Sequence, residues 1–234
     1  MLGNINSIET MGLVDGPGIR IVVFMQGCNL RCAFCHNPEM WKIEPKLQMT
    51  PEQLVRRILK YKNYFDNNGG VTFSGGEPLV QKEFLIETLK LCKICNIHTA
   101  LDTAGFGDGD YDEILKYVDL VIFDIKAIDK NKYREITTRN IDASLKFLND
   151  CQRLNKKMWL RQVIVPGIND NIEYVKELKK FIKPLKNILK VEFLPYHLLG
   201  VEKYKKLGIP YRLDGVEAMD QDKCDKLYEE FKEA

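Results

Sequence analysis

The sequence predicts an α/β protein built as a partial (β/α)6 TIM-like barrel, and three observations lead to this prediction. Apolar runs of strand length alternate with helical patterns along nearly all of the 234 residues, as in folds with a parallel sheet. Several runs, such as IVVFM and LVIF, are continuously apolar, which is typical of parallel strands covered on both faces. Six strand-then-helix units can be counted, and since eight would close a full barrel, we expect an open one.

The apolar runs predict six strands in chain order. They span residues 19–25, 70–74, 98–102, 120–126, 159–165 and 189–196. The first helix is expected after Thr50, which stands at capping-box spacing from Gln53 and is followed by Pro51. Further helices are expected at 82–95, 111–118, 140–154, 171–183 and 220–232.

The organisation of the chain indicates one domain, 1–234, with a core at 19–197 and a helical extension at 198–234. No linker or low-complexity tract divides it. The segment 127–139 is polar and long for a strand-to-helix connection. We expect it to be either a lid over a site or a solvated insertion.

Composition and charge exclude several classes of function. Apolar residues make up 45% and charged residues 29% of the chain, which is ordinary for a globular protein. The 35 Lys and Arg nearly balance the 33 Asp and Glu, so no general affinity for nucleic acid or a membrane surface is expected. Without a bilayer-spanning run or a secretory signal in MLGNINSIET, we expect a cytoplasmic protein. No feature indicates an obligate assembly, and a monomer is expected.

Three of the seven cysteines cluster as Cys28-x3-Cys32-x2-Cys35. Three thiolates on one short loop can bind three irons of a cubane cluster and leave the fourth iron open to a ligand. A structural zinc site is the alternative, but it needs four ligands, and His36 is poorly placed to join its neighbour Cys35 on one ion. The other four cysteines, including Cys92 and Cys95 within a helical pattern, are interpreted as structural.

Each predicted strand ends in a polar or glycine-rich cluster. In order these are QGCNLRCAFCHN, SGGEP, DTAG, DIK, RQVIVPG and LPYH. Any one of them could be a turn, but ligands of barrels and open α/β sheets bind at the carboxyl ends of the strands. Six clusters at equivalent positions therefore predict one site.

Two aspartates, Asp102 and Asp124, end neighbouring strands. Burying two carboxylates together is unfavourable unless a cation or a proton compensates. Lys126 lies two residues after Asp124 and faces the same side of the strand, so an ion pair without a functional role is the alternative.

The motifs resemble a known family. CNLRCAFC matches the CxxxCxxC signature of radical S-adenosylmethionine (radical SAM) enzymes. VDGPGIRIVVFMQGCNLRCAFCHNPEMW, followed in order by SGGEP, LDTAGF, FDIK, LRQVIVPG and EFLPYH, closely resembles the glycyl-radical-enzyme activases of the pyruvate formate-lyase type. The resemblance covers nearly the whole chain.

The resemblance implies a radical SAM core and an oxidoreductase that works in anaerobic metabolism. In such enzymes a [4Fe-4S] cluster reductively cleaves S-adenosylmethionine, and the resulting 5′-deoxyadenosyl radical abstracts a hydrogen from a backbone glycine. The implied protein substrate is the glycyl loop of pyruvate formate-lyase, and the implied electron donor is reduced flavodoxin or ferredoxin. No side chain is implied as catalytic, because the radical forms on the cofactor.

The resemblance also implies roles for individual residues. Cys28, Cys32 and Cys35 would bind the cluster. Residues implied to contact S-adenosylmethionine are Phe34, Cys35, His36, Gly76, Asp124, Ile125, Lys126, Arg161 and His197. A monovalent cation would be bound by Asp102, Thr103, Asp124 and the carbonyl of Ile122. Asp15, in the DGPG turn, would hold a backbone N–H of the substrate loop.

Two other functions compete with this interpretation. The nearer is an activase of a different glycyl-radical enzyme, such as a diol or glycerol dehydratase. Many of those carry a ferredoxin-like insertion with further cysteines, whereas the 38 residues between Cys35 and Ser74 contain none. The more distant is a non-catalytic metal-binding or electron-carrier protein, which would not need polar clusters at six strand ends.

Overall fold

The computed structural model of the chain describes residues 1–44, 46–65 and 68–233. It contains one eight-stranded sheet with the strand order β3-β1-β2-β4-β5-β6-β7-β8. The strands are β1 (Gly3–Gly12), β2 (Arg20–Met25), β3 (Leu47–Met49), β4 (Gly70–Gly75), β5 (His98–Thr103), β6 (Leu120–Ile125), β7 (Lys157–Ile164) and β8 (Ile188–Pro195).

The six predicted strands are confirmed as β2 and β4 to β8, which pair with one another in parallel. In the described part of the chain the two edge strands, β3 and β8, do not pair, so the sheet stays open. The expected partial barrel of six parallel strands is therefore confirmed. Because all six strands point the same way, their carboxyl ends meet at one end of the barrel.

The antiparallel strands β1 and β3 extend this core and are not predicted by the sequence. β1 pairs with β2, where Ile5 stands opposite Met25, and β3 pairs with β1. The sequence of β1, GNINSIETMG, has few apolar residues, and only Ile5 among them is fully buried. Pairing with the buried strand β2, rather than a local pattern, therefore specifies β1.

The described residues contain eight α-helices. They are α1 (Pro51–Leu59), α2 (Lys82–Ile94), α3 (Asp112–Lys116), α4 (Lys130–Thr137), α5 (Asp142–Arg153), α6 (Ile172–Ile182), α7 (Val201–Leu207) and α8 (Gln221–Glu233). The predicted capping box is present, because Thr50 Oγ1 accepts from the Gln53 N–H at 3.3 Å and Gln53 Oε1 accepts from the Thr50 N–H at 2.9 Å. None of the described helices has the length and apolar character needed to cross a membrane.

The segment 127–139 is not a solvated insertion, so that expectation is wrong, whereas the expectation of a lid stays a prediction. It contains α4, which is capped by Asp129 and buries Tyr133, Ile136 and Thr137. The carbonyls of Ile136 and Thr137 accept hydrogen bonds from the N–H groups of Ala33 and Arg31, both at 2.9 Å. Helix α4 therefore supports the cysteine loop that follows β2.

The turn after β1 is hydrogen-bonded to β4. Arg20, fully buried, donates to Val71 O at 2.6 Å and to Pro17 O at 3.0 Å. Thr72 Oγ1 donates to the carbonyl of Asp15 at 2.6 Å. These bonds fix the DGPG turn against the inner face of β4.

Candidate active site

A cavity of about 230 Å³ lies at the carboxyl ends of the parallel strands. The cysteine loop, the end of β4, the end of β5, and residues of β6 and β7 form its walls. The predicted site residues that line it are Cys28, Cys32, Phe34, Cys35, His36, Gly76, Asp102, Thr103, Asp124, Lys126 and Arg161. The prediction that the strand-end clusters form one site therefore matches the arrangement of the described residues.

The three cysteines of the loop are free thiols, with Cys32 buried and Cys28 and Cys35 half-buried. Burial raises the pKa of Cys32 to about 12 and raises the pKa values of Cys28 and Cys35 above their ordinary range. Thiols in this environment stay protonated at neutral pH unless a metal compensates the thiolate charge. The three thiols therefore fit ligands of a bound metal cluster better than a free nucleophile.

The arrangement does not resemble a closed zinc site. Such a site places four ligands around one ion. Within residues 1–44, 46–65 and 68–233, no three or more His, Cys, Asp or Glu side chains are grouped to hold a single metal ion. The three thiols instead share a cavity with room beyond them, as a cluster with an open iron requires.

Asp102, at the end of β5, provides an unused acceptor in the cavity wall. Its Oδ2 accepts from Ser74 Oγ at 2.6 Å and lies 3.9 Å from Arg161 Nη1. Its Oδ1 is buried without a hydrogen-bond partner. Burial and then the carboxylate of Asp124 raise the pKa of Asp102 to about 6. A buried, unpaired carboxylate oxygen fits a cation or a donor group of a ligand.

Lys126 faces the same side of β6 as Asp124, as expected, and its Nζ lies 2.8 Å from Asp124 Oδ2. Burial alone would lower the pKa of Lys126, but the neighbouring carboxylate of Asp124 raises it above its ordinary value. The ammonium group also lies 5.7 Å from the ring centroid of Phe34. A permanent positive charge is therefore held between the carboxylates and the cysteine loop.

The two glycines of SGGEP are required for different reasons, backbone conformation at Gly75 and close packing against the cysteine loop at Gly76. Gly75 has a φ of 113°, in the region that favours glycine. A Cβ on Gly76 would lie 2.3 Å from the carbonyl oxygen of Gly27, which directly precedes Cys28. The Glu77 N–H donates to that same carbonyl at 2.8 Å. The turn and the loop thus approach each other backbone to backbone.

Glu77 is a buried residue of the cavity wall that sequence reasoning did not single out. Its carboxylate accepts from the hydroxyl of Thr103 and, at 3.0 Å, from the N–H of Ala104. Burial raises the pKa of Glu77 to about 7. Glu77 ties the end of β4 to the end of β5, and its position within SGGEP was the available signal.

Two further residues that contact the cavity or the cysteine loop were not singled out from the sequence. Trp41 lines the cavity, and Tyr204 donates a hydrogen bond from its hydroxyl to the carbonyl of Cys35 at 3.0 Å. Trp41 ends the quoted block VDGPGIRIVVFMQGCNLRCAFCHNPEMW, so its position there was the available signal. Tyr204 belongs to no such motif, so no local pattern could have found it.

The two histidines of the predicted site stack on each other. The rings of His36 and His197 have centroids 3.8 Å apart and an interplanar angle of 20°. His36 Nε2 lies 3.2 Å from the carbonyl oxygen of His197, and burial lowers the pKa of His36 to about 4. His197 is outside the cavity lining and supports the neutral ring of His36.

Besides His197, three predicted site residues do not reach the cavity with their side chains. Ile122 is buried inside the barrel with Ala100 and Leu120, and Ile125 belongs to the outer core. Asp15 lies beside the cavity, where Arg161 donates to the carbonyl of the preceding residue, Val14. Burial raises the pKa of Asp15, against the opposing charges of Arg161 and Arg20.

Comparison with known proteins assigns the family. Residues 22–182 match the family model of the Radical SAM superfamily. The chain is 52% identical to "Pyruvate formate-lyase-activating enzyme" of Clostridium pasteurianum, over 100% of this chain and 98% of that protein. It is 45% identical to the protein of the same name from Staphylococcus epidermidis, over 97% of this chain and 94% of that one. The chain therefore belongs to the pyruvate formate-lyase-activating enzyme family of the radical SAM superfamily.

Solved structures share the fold. One is a domain of pyruvate-formate lyase-activating enzyme from Bacteroides vulgatus, with a TM-score of 0.57 and 24% identity over 70% of this chain and 94% of that one. Another is QueE from Escherichia coli, with a TM-score of 0.56 and 16% identity over 89% of this chain and 92% of that one. Family membership implies a [4Fe-4S] cluster and S-adenosylmethionine as cofactors, and the thiols, the cavity and the unpaired Asp102 oxygen fit both.

Proposed function

We propose that the chain activates pyruvate formate-lyase by removing a hydrogen from a backbone glycine, which leaves a glycyl radical. The observation that carries the proposal is a single cavity in which three free thiols meet an unpaired carboxylate oxygen, in a chain 52% identical over its full length to an enzyme with that name. When bound, the cluster and S-adenosylmethionine supply reductive cleavage and the hydrogen-abstracting radical. The protein then needs to supply position and exclusion of water.

Cys28, Cys32 and Cys35 would bind the cluster. Their burial disfavours free thiolates, so the charge of the irons compensates for desolvation of the sulfurs. The loop is held from behind by Arg31, which donates to the carbonyls of Cys28 and Leu30 at 2.6 and 2.7 Å. These bonds hold the loop backbone through contacts that use no thiol.

S-adenosylmethionine would bind across the rest of the cavity. Lys126 and Arg161 supply positive charge toward its carboxylate, and the ring of His36, supported by His197, supplies a flat apolar face. Gly76 would contact it through the backbone, as would Ile125, whose side chain is in the core. The complete proposed set is Phe34, Cys35, His36, Gly76, Asp124, Ile125, Lys126, Arg161 and His197.

A monovalent cation would be held beside this ligand by Asp102, Thr103, Asp124 and the Ile122 carbonyl. Support comes from the unpaired Oδ1 of Asp102 and from the raised pKa of that carboxyl, since a cation would relieve both. The hydroxyl of Thr103 already donates to Glu77 and accepts from the Gly105 N–H at 2.8 Å. Its remaining lone pair would face the cation.

Asp15 would receive the protein substrate. A glycine offers no side chain to bind, so recognition through backbone N–H groups is chemically suitable. The half-buried carboxylate of Asp15 stands in a turn that Arg161 connects to the cavity. A bound peptide would then run past the edge of the cavity with its glycine inward.

The cellular setting follows from the chemistry. The chain would work as a monomeric single domain in the cytoplasm, where its free cysteines stay reduced. Its extension 198–234 would support the cysteine loop through the hydrogen bond from Tyr204 to Cys35 O. Reduced flavodoxin or ferredoxin would deliver the electron.

The proposal is tested by anaerobic reconstitution with iron and sulfide, followed by addition of S-adenosylmethionine and dithionite. 5′-Deoxyadenosine is then quantified with and without pyruvate formate-lyase, and the glycyl radical is monitored by electron paramagnetic resonance. A glycyl signal with deoxyadenosine is expected. Deoxyadenosine without that signal would contradict the assigned target and favour another glycyl-radical enzyme, and absence of both would refute the catalytic function.

A further inference from the structure

The solvent side of the cysteine loop carries three arginines, Arg31, Arg139 and Arg212, which we name the basic face. Arg139 Nε donates to the carbonyl of Asn29 at 2.9 Å, and Arg212 Nη1 donates to the carbonyl of Arg31 at 2.6 Å. Arg31 itself binds the carbonyl of Cys28. Three guanidinium groups are thus bonded to the backbone of the loop whose thiols line the cavity.

The charge of the basic face is not neutralised by nearby carboxylates. Within the described part of the chain, none of its three guanidinium groups forms a salt bridge. Their partners are carbonyls, which leave the positive charge in place. The adjacent carboxylate of Glu135 is paired with Lys132 at 3.0 Å, and Asp214 is an exposed residue two positions after Arg212 in the sequence.

The chain around the basic face concentrates this charge further. Residues 130–139 and 203–212 contain eight basic residues. Four of these form salt bridges with carboxylates, namely Lys130, Lys132, Lys203 and Lys205. The four that form none within the described part of the chain are Arg134, Arg139, Lys206 and Arg212. The whole chain has a net charge of only +2. Positive charge is therefore gathered where α4, α7 and the segment after α7 meet the cysteine loop.

The position of the basic face suits electron entry. Asn29, Arg139 and Arg212 are exposed, whereas the thiols of the same loop face the cavity. A protein that docks on the basic face would approach the cluster from behind, through the backbone of its ligand loop. The cavity side would stay free for S-adenosylmethionine and the glycine-bearing loop.

We propose that the basic face is the docking site of an acidic one-electron carrier protein, and this inference rests on the proposed function. One electron passes from the reduced flavin or iron–sulfur centre of the carrier to the cluster, so the carrier is oxidised by one electron and the cluster is reduced by one. No proton or other group is exchanged. Opposite charges on the two surfaces raise the rate of encounter and select the partner.

The test separates charge from loop support. In Arg139→Gln/Arg212→Gln both charges are lost, and the shorter glutamine cannot reproduce the bonds that Nη1 and Nη2 of Arg212 make to backbone carbonyls, whereas Arg139→Lys/Arg212→Lys keeps the charge. Binding of an acidic flavodoxin to the reconstituted enzyme is measured by biolayer interferometry at low and high salt. We expect about two- to fivefold weaker binding for each charge removed, a smaller salt dependence, and near wild-type binding for the lysine variant.

Further variants keep the test decisive if the glutamine pair loses the cluster. Lys206→Gln removes an exposed charge of the same region without a hydrogen bond to the cysteine loop in the described residues, and it should also weaken carrier binding. Arg56→Gln is the matched control, because α1 leads into the opposite, amino-terminal end of the parallel strands, and it should bind the carrier like the wild type.

Deoxyadenosine formation completes the test. With dithionite, which needs no docking surface, Lys206→Gln and the wild type should produce equal yields. With reduced flavodoxin, the variant should be slower. If dithionite gives no product in the wild type, the proposed function fails. If dithionite works but flavodoxin binding and rate are unchanged in all charge-removing variants, or if pyruvate formate-lyase binding falls instead, the docking inference is refuted.

Discussion

The substitution Gly76→Ala tests whether the SGGEP turn positions the site or only reverses the chain. The added Cβ would lie 2.3 Å from the carbonyl oxygen of Gly27, and this contact must lengthen to the 3.4 Å at which ordinary van der Waals contact begins. Because the neighbouring atom is backbone, no side chain can move aside. The turn and the cysteine loop must therefore separate by roughly one ångström, and Gly27 is bonded directly to Cys28.

The size of the effect follows from this separation. Overpacking of this kind costs about 1–3 kcal/mol in the free energy of unfolding. The hydrogen bond from the Glu77 N–H to Gly27 O, 2.8 Å long, would weaken and contributes about 1 kcal/mol. Misplacing a reacting group by about 1 Å can cost on the order of a hundredfold in rate. We expect a loss of that order in dithionite-driven formation of 5′-deoxyadenosine.

The control is Gly208→Ala. Gly208 has a φ of 64° and no atom within 4 Å of its ideal Cβ, so alanine there costs about 1–2 kcal/mol of backbone strain without displacing a neighbour. Urea denaturation should show comparable losses of stability for the two variants, whereas only Gly76→Ala should lose deoxyadenosine. Equal yields in both variants would refute the argument from close approach.

Three further predictions concern Cys32, Asp124 and His98. Cys32→Ala should lose the cluster and all deoxyadenosine while circular dichroism stays unchanged, and full iron content in this variant would contradict the cluster assignment. Asp124→Asn should weaken S-adenosylmethionine binding at least tenfold in isothermal calorimetry, since a charged hydrogen-bond group contributes about 1.5–3 kcal/mol; the exposed Asp142→Asn should leave it unchanged. Burial and then Arg20 lower the pKa of His98, so the unfolded chain gains a proton near pH 6.5 that the folded chain does not yet take up. The free energy of unfolding should therefore fall as pH drops below about 6.5, and in His98→Gln a urea titration at several pH values should give a flatter dependence; an unchanged slope would contradict it.

The parallel core was predictable because burial on both faces leaves a direct trace in the sequence. LVIF, for example, coincides with the first four residues of β6, Leu120–Ile125. The start of α1 was predictable from the capping box at Thr50, because the two interacting residues are only three positions apart in the sequence. The thiols, the glycine turn and the two aspartates could be grouped because parallel strands end at one side of a barrel.

The features that could not be predicted depend on contacts between distant segments. β1 carries little apolar signal and is specified by its pairing with β2. α4 reads as a charged loop, KNKYREIT, because only Tyr133, Ile136 and Thr137 mark its buried face. Tyr204 reaches the carbonyl of Cys35 across 169 positions. No window of sequence contains both partners of such a contact.

The backbone bonds of the cysteine loop bear on how the protein survives air. Hydrogen bonds from Arg31 N and Ala33 N to the end of α4, together with the guanidinium bonds of Arg139 and Arg212, hold the loop without using a thiol. In small zinc domains the metal is needed for folding, and its loss unfolds the chain. Here we expect the cysteine loop to stay ordered when the iron–sulfur cluster is lost by oxidation. We therefore expect that the same polypeptide can bind a new cluster when iron and sulfide are supplied without oxygen.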